Sequence, residues 1–107
     1  MLYVVTLKYT NPAEQVNAHL EAHKRWLGEY VRAGRILAAG PLEDRTGGLL
    51  LLSANSRREL DLVIAQDPFV VQNVVAVAVQ GFEPLIRMDE FPGKWAPDAT
   101  SIAPHKP

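Results

Sequence analysis

Residues 11–34 have the sequence NPAEQVNAHLEAHKRWLGEYVRAG, and this stretch carries a polar residue where a core residue is expected. At about 100° per residue, its apolar side chains fall on one helical face, which comprises Val16, Leu20, Leu27, Tyr30 and Val31. His23 projects into the middle of this apolar stripe, and His19 lies one turn earlier at its edge. The stretch therefore predicts a helix whose histidine is either hydrogen-bonded in the core or part of a cavity wall.

Signals at both ends set the bounds of this predicted helix. Asn11 suits the N-cap and Pro12 the first helical position. Gly34 suits the C′ position, where a positive φ costs glycine little, and Arg32 complements the helix dipole in the last turn. We therefore expect one helix over nearly all of the stretch.

Length and composition restrict the class of protein. A chain of 107 residues forms one domain, and a hydrophobic content of 48% argues against disorder. The net charge of −1, with acids and bases mixed along the chain, argues against a nucleic-acid partner. There is no cysteine, so disulfides, thiolate catalysis and cysteine metal sites are excluded. Without a signal peptide or an apolar run of roughly 18 residues, we expect a cytoplasmic protein with no membrane partner.

Apolar and β-branched segments on both sides of the helix predict four strands, at residues 2–9, 35–40, 47–53 and 73–80. The first is apolar on both faces, which is typical of a central strand. In the last, Gly81 and Phe82 predict a bulge or a bend, beyond which the strand continues to Met88.

A second helix lies between the third and fourth strands. Ser56 and Glu59 have the spacing of a capping box. The helix is expected to stop near Gln66, because the residue before a proline disfavours the α region. Asp67 then suits the cap of a short new turn, with Pro68 at its first position.

The order strand, helix, strand, strand, helix, strand predicts an α+β domain with the ferredoxin-like split βαβ pattern. Its four-stranded antiparallel sheet carries both helices on one face. The other face is apolar and has no helix to cover it, so we expect a homodimer that buries it sheet against sheet. We assign residues 1–89 to this domain and residues 90–107 to a proline-rich tail.

These residues resemble the YCII-related domain family, a member of the dimeric α+β-barrel group. The similar features are MLYVV at residues 1–5, His23, AGRILAAGP at residues 33–41, the tripeptide Asp67-Pro68-Phe69, and the closing Glu83-Pro84-Leu85. The resemblance implies a ferredoxin-like subunit, a dimer and a His–Asp pair as the active site. In this chain the pair is His23 and Asp67.

A buried histidine beside a carboxylate is a general base whose tautomer is fixed. Its unperturbed pKa of about 6.5 suits proton transfer near neutral pH. If Asp67 accepts from one ring nitrogen, the other can take a proton from a substrate. Such a base would serve isomerisation or elimination next to a carbonyl, and the family resemblance implies an isomerase or a dehydrochlorinase-like lyase. The leading hypothesis is a small-molecule enzyme of this kind. It acts without cofactor or metal on a small organic substrate such as an aromatic-derived acid or lactone.

Other interpretations of the same residues stay open at this point. His23 can instead bond a backbone carbonyl in the core, with Asp67 acting only as an N-cap. The same pocket could serve a non-catalytic module that binds a small ligand, which is the alternative function. A third interpretation is a structural dimer whose pocket is filled by side chains.

Further positions have both a functional and a plain interpretation. His19 and His23 are four residues apart, as metal ligands on a helix are, but no third ligand accompanies them, so no metal site is predicted. Gly40 and Pro41 are candidate substrate-binding residues beside the pair, or a plain turn. Tyr9 is a third candidate, because it shares a strand face with Tyr3, although core or dimer packing would also explain it.

The residues next to His23 in the helix have simpler interpretations. Lys24 and Arg25 point away from the apolar stripe and are interpreted as a solvated face. Trp26 projects to the side of the stripe, where it serves packing or a partner contact. The sequence therefore assigns no role in the site to these three residues.

Overall fold

The first strand lies in the middle of a four-stranded sheet in the computed structural model, which describes residues 1–106. The sheet contains β1 (Leu2–Tyr9), β2 (Ile36–Pro41), β3 (Gly47–Ser53) and β4 (Val75–Phe82). β1 pairs antiparallel with β3 and β4, and β2 pairs antiparallel with β3, so the order is β2-β3-β1-β4. This is the predicted ferredoxin-like α+β fold.

Four helices supply the second layer: α1 (Ala13–Asn17), α2 (Leu20–Arg32), α3 (Arg57–Ile64) and α4 (Pro68–Val71). Each buries at least one side chain, and these side chains meet the buried face of β1 in one core. Among residues 1–106, none of the helices has both the length and the apolar character needed to cross a bilayer.

The strand register decides which face of the sheet meets the helices. Val5 lies opposite Leu50 of β3, and both are buried, as are their neighbours two residues along on the same face, Tyr3, Leu7 and Leu52. The alternate residues, such as Val4 opposite Leu51, face away from the core. One face of the sheet is thus filled by the helices, and the other remains apolar and partly exposed.

The predicted single helix over residues 11–34 is wrong in one respect, because it is broken between α1 and α2. His19 leaves the helical region, with φ −112° and ψ 6°, and becomes the N-cap of α2. The break turns a different edge of α2 toward the sheet. Trp26 is buried, and Val31, which the stripe placed in the core, is 51% exposed. The large indole contributes more buried area than a valine does, which favours this orientation.

The start of the helix also differs from the prediction. Pro12, not Asn11, occupies the N-cap of α1, and its side chain can make no capping hydrogen bond. Asn11 instead donates from Nδ2 to Oε1 of Gln15 at 2.5 Å. At α3 the predicted cap is present, since Oγ of Ser56 accepts from the Glu59 amide at 3.1 Å.

The loop between β2 and β3 is closed by its own polar groups. Thr46 donates from its hydroxyl to Asp44 Oδ1 at 2.7 Å and from its amide at 3.1 Å. These hydrogen bonds, led by the hydroxyl, hold the pKa of the exposed Asp44 carboxyl below its ordinary value. Gly47 follows, and a Cβ there would lie 2.0 Å from the carbonyl oxygen of Leu7. Glycine therefore allows β3 to begin close against β1.

β4 ends differently from the prediction. Gly81 pairs with Tyr3 in an unbroken register, so the predicted bulge is absent. A Cβ at Gly81 would lie 2.8 Å from Cε1 of Tyr3, which shows that the glycine makes room for this buried ring. The strand does not continue to Met88, because it stops at Phe82 and Pro84 follows, which has no N–H for a ladder hydrogen bond.

The last part of the described chain forms a small separate sheet. β5 (Ile86–Met88) pairs in parallel with β6 (Thr100–Ile102), and a 3₁₀ turn, Gly93–Trp95, lies between them. The guanidinium of Arg87 donates to the carbonyl oxygens of Asp89 and Phe91 at 3.1 and 2.9 Å. The segment predicted as a tail thus contains regular structure, and its sheet spans the predicted boundary at residue 89.

Candidate active site

Asp67 is fixed by the short turn that joins α3 to α4. Its Oδ1 accepts from the Phe69 amide at 3.0 Å, which caps α4, and Pro68 occupies the first helical position. The side chain is fully buried. The local sequence therefore decides where this carboxylate points, since the cap bond and the proline together restrict it.

His23 reaches the same oxygen from α2. Its Nδ1 lies 2.7 Å from Asp67 Oδ1. A carboxylate can only accept, so we assign the proton to Nδ1, which donates to Asp67. In the neutral form of this tautomer, Nε2 carries no proton and has an available lone pair. The contact also shows that the two interpretations of Asp67 are compatible, because one oxygen both caps α4 and accepts from the histidine.

Two aromatic rings restrict the imidazole. Phe69 is stacked on it, with ring centroids 4.0 Å apart and planes 9° apart, and Trp26 lies near-parallel at 5.9 Å and 28°. The sequence pattern indicated neither residue as part of the site. The position of Phe69, two residues after Asp67, was the available signal. A capping aspartate accepts from the amide of that residue, and here the same residue stacks its ring on the imidazole.

A cavity of about 370 Å³ lies against His23. All three predicted substrate-binding residues, Tyr9, Gly40 and Pro41, line it. Apolar side chains form most of the remaining wall, contributed by Leu7, Leu20, Leu27, Ala39, Leu50 and Phe69. Asp67 is not part of the wall. A small molecule in the cavity would therefore meet the imidazole, with the carboxylate paired to it but out of reach.

The two tyrosines of β1 have different environments. Tyr3 is buried in the core at 5% exposure, whereas Tyr9 is 39% exposed and packs edge-to-face on Phe69 with centroids 6.2 Å apart. The two tyrosines thus lie on the same face of β1, but only Tyr9, at the end of the strand, lines the cavity.

Lys24 also lines the cavity, a role that its predicted place on a solvated face did not indicate. Its backbone does point away from the apolar stripe, and 60% of its side chain is exposed. The long aliphatic part of a lysine can nevertheless follow an apolar surface while the ammonium stays in water. Helical periodicity predicts where the Cβ atom of Lys24 lies, but it does not predict how far the long side chain extends from there.

His19 takes no part in this arrangement. It is the N-cap of α2 and does not line the cavity. In the described part of the chain, residues 1–106, no three His, Asp or Glu side chains are grouped so that they could hold a metal ion.

The comparisons with known proteins agree with this geometry at the level of family and fold. A family model described as "YCII-related domain" matches residues 1–82, which end with β4. A comparison with curated proteins gives no significant match.

Several solved structures share the fold. One is 5-chloro-2-hydroxyhydroquinone dehydrochlorinase from Burkholderia phenoliruptrix AC1100, in complex with 2,5-dihydroxybenzoquinone. It has 25% identity and a TM-score of 0.65, and the match covers 78% of this chain and 95% of that one. Muconolactone isomerase has 15% identity and a TM-score of 0.67, over 78% and 88% of the two chains. An antibiotic biosynthesis monooxygenase has 17% identity and a TM-score of 0.53, over 78% and 100%.

Proposed function

Because this chain belongs to the YCII-related domain family, we propose that it is a small-molecule enzyme in which His23 is the general base and Asp67 its orienting partner. The observation that carries the proposal is the 2.7 Å contact between Nδ1 and the buried carboxylate, with the imidazole forming part of a cavity wall. This arrangement fixes the tautomer and directs base chemistry toward the cavity.

The chemistry that suits such a base is proton abstraction next to a carbonyl or in a conjugated ring. Nε2 takes the proton, and the ionised Asp67 stabilises the resulting imidazolium. In a lyase, the released electron pair moves through the conjugated system and expels chloride from another carbon. In an isomerase, the imidazolium returns the proton to a different carbon. Both reactions balance without a metal, an oxidant or a covalent intermediate.

The relatives narrow the choice of reaction. The dehydrochlorinase, at 25% identity over 95% of its length, is named for loss of chloride from a hydroxylated ring. Muconolactone isomerase supports only the fold at 15% identity. We therefore place elimination from a halogenated, ring-derived substrate first and lactone isomerisation second.

The test is an assay of both reactions with the purified protein. We expect chloride release from 5-chloro-2-hydroxyhydroquinone or isomerisation of muconolactone, with kcat well above the uncatalysed rate. In D₂O, an isomerised product should carry solvent deuterium at the carbon that receives the proton. Saturable binding of both compounds with turnover of neither would instead favour the non-catalytic binding module.

We also propose that the protein is a homodimer through the sheet face that lacks helices. Most central side chains of this face are apolar, and they include Val4, Leu49, Leu51, Ala78 and Phe82, with Thr6 and Gln80 as polar neighbours. Leu49 and Phe82 are 37% and 46% exposed in the single chain. Burial of apolar area stabilises a complex by roughly 25 cal/mol per Å². Packing against the same face of a second copy would bury this apolar surface.

Leu51→Arg tests the dimer. Leu51 lies opposite Val4 near the middle of the face, so a charge there should prevent close packing of two sheets. By light scattering we expect wild type at about twice the chain mass of 11.8 kDa and the variant at the mass of one chain. Leu62→Arg, on the exposed side of α3 at 60% exposure, is the matched control and should stay dimeric. A wild-type protein that is monomeric at high micromolar concentration would contradict the proposal.

A further inference from the structure

Among the described residues, 1–106, the wall of the cavity contains one Lys, Arg, Asp or Glu side chain, and it is the cation Lys24. We propose that Lys24 binds the anionic oxygen of the substrate, and that the substrate class is a small planar organic anion whose charge is conjugated with its ring. This inference rests on the proposed function, because it concerns the same cavity. It assigns a specificity role to a residue that does no chemistry.

The charges around the cavity favour an anionic ligand. Lys24 is in the wall, and no carboxylate is among the wall residues within the described chain, residues 1–106. The Asp67 carboxylate is fully buried and bonded to His23 and to the Phe69 amide. An anion that enters therefore meets one cationic residue and no acidic residue along the wall.

The charge of Lys24 is available to a ligand. Its nearest acidic partner is Glu21, with Nζ 4.0 Å from Oε1, at the limit of an ion pair. These side chains are 60% and 81% exposed, and exposed pairs of this kind contribute little. A ligand oxygen at the edge of an apolar cavity would compete well with such a contact, because it is less solvated there.

The walls restrict the rest of the ligand. A volume of about 370 Å³ is near the lower end for ligand sites, and it accommodates a single ring with its substituents. Leucines and Phe69 form much of the wall, which favours a flat apolar body over a sugar or a polyphosphate. A ring-conjugated phenolate, enolate or carboxylate combines such a body with one strong acceptor for Lys24.

The helix links recognition to chemistry. His23 and Lys24 are consecutive residues of α2, and both side chains reach the same cavity. Since a helix is rigid, an oxygen held at Lys24 fixes the ring at a constant distance from the imidazole. The same conjugation that delocalises the anion also acidifies neighbouring C–H and O–H groups, which are the groups that His23 would deprotonate.

Two probes that differ in charge test this inference by calorimetry. 2,5-Dihydroxybenzoquinone is an anion near neutral pH, because its hydroxyls are vinylogous acids, and hydroquinone is a neutral ring of similar size. We expect Lys24→Gln to weaken binding of the anion about tenfold and to leave hydroquinone unchanged. Lys24→Arg should recover most of the affinity. Arg25→Gln, a neighbouring charge that does not line the cavity, is the control and should bind both as wild type does.

Ionic strength gives a second readout. Raising the salt from about 0.05 to 0.5 M should weaken anion binding by wild type, since Lys24 is at the solvent edge, and should have a much smaller effect on Lys24→Gln. Fold loss is not a concern at a residue whose side chain is mostly exposed.

The inference is overturned if wild type does not bind the anion, or if Lys24→Gln binds both probes as wild type does. It is also overturned if the variant loses both probes equally, which would indicate a general packing role. Binding needs no turnover, so the two proposals can fail separately. Lys24-dependent binding with no turnover of any substrate refutes only the enzyme, whereas turnover with Kd and KM unaffected by Lys24→Gln refutes only the role of Lys24.

Discussion

Asp67→Asn is expected to lower kcat by about 10²-fold or more while the domain stays folded. The asparagine oxygen can take the place of Oδ1, which accepts from the Phe69 amide at 3.0 Å and from Nδ1 of His23 at 2.7 Å. Both hydrogen bonds then remain. The change removes the negative charge that stabilises the imidazolium formed when Nε2 takes a proton. The loss should therefore appear in kcat with little change in KM.

The same position separates catalysis from stability. Asp67→Ala removes the cap of α4 and leaves two buried donors, Nδ1 of His23 and the Phe69 amide, without an acceptor. Each unsatisfied buried donor costs about 1–3 kcal/mol, and the lost cap is the loss at the Phe69 amide. We expect the free energy of unfolding in urea to fall by roughly 2–6 kcal/mol.

Ser56→Ala is the matched control for this effect. Ser56 caps α3 in the same way, but it has no histidine partner, so only about 1 kcal/mol should be lost and kcat should not change. Equal destabilisation by Asp67→Ala and Ser56→Ala would show that the contact with His23 contributes nothing. A fully active Asp67→Asn variant would show that the charge of Asp67 does not support the base.

His23→Asn should abolish measurable turnover, with a fall in kcat of about 10³-fold or more. The asparagine amide can take the place of Nδ1–H and keep the hydrogen bond to Asp67, so the buried carboxylate stays paired. What is lost is Nε2, the proposed base. The measurements are steady-state kinetics with the substrates above and the Kd of 2,5-dihydroxybenzoquinone, which we expect to stay within about threefold.

His19→Asn is the control for this variant. His19 is the N-cap of α2 and does not line the cavity, so the kinetics of the variant should match those of wild type. If His23→Asn retained most of the activity, another group would have to be the base, and the cavity offers no carboxylate for that role among residues 1–106.

Much of the sheet followed from local sequence. The predicted bounds of the first and third strands are those of β1 and β3, and the second and fourth strands were displaced by one or two residues. Ser56 and Asp67 cap helices as their spacing indicated. These features depend on residues two to four positions apart, which is the range over which capping bonds and alternation act.

The predictions that were wrong concern features that depend on contacts between residues of different helices and strands. The regular pairing at Gly81 depends on Tyr3, whose ring occupies the space beside this glycine. The orientation of α2 depends on Trp26, which is buried and packs against His23 and Tyr30, whereas Val31 is exposed. Periodicity averages over a helix, so it could not detect the break at His19 or choose between neighbouring edges of the stripe.

The sequence by itself determined an α+β domain, a histidine on an apolar helical face and an aspartate at a helix cap. Each of these features depends on residues that lie close together in the chain. Only the tertiary structure decided that these two side chains meet. They are 44 residues apart in the chain and 2.7 Å apart in space. The same packing placed Phe69 on the imidazole and Lys24 at the cavity, since which side chains share a space depends on how helices lie on a sheet.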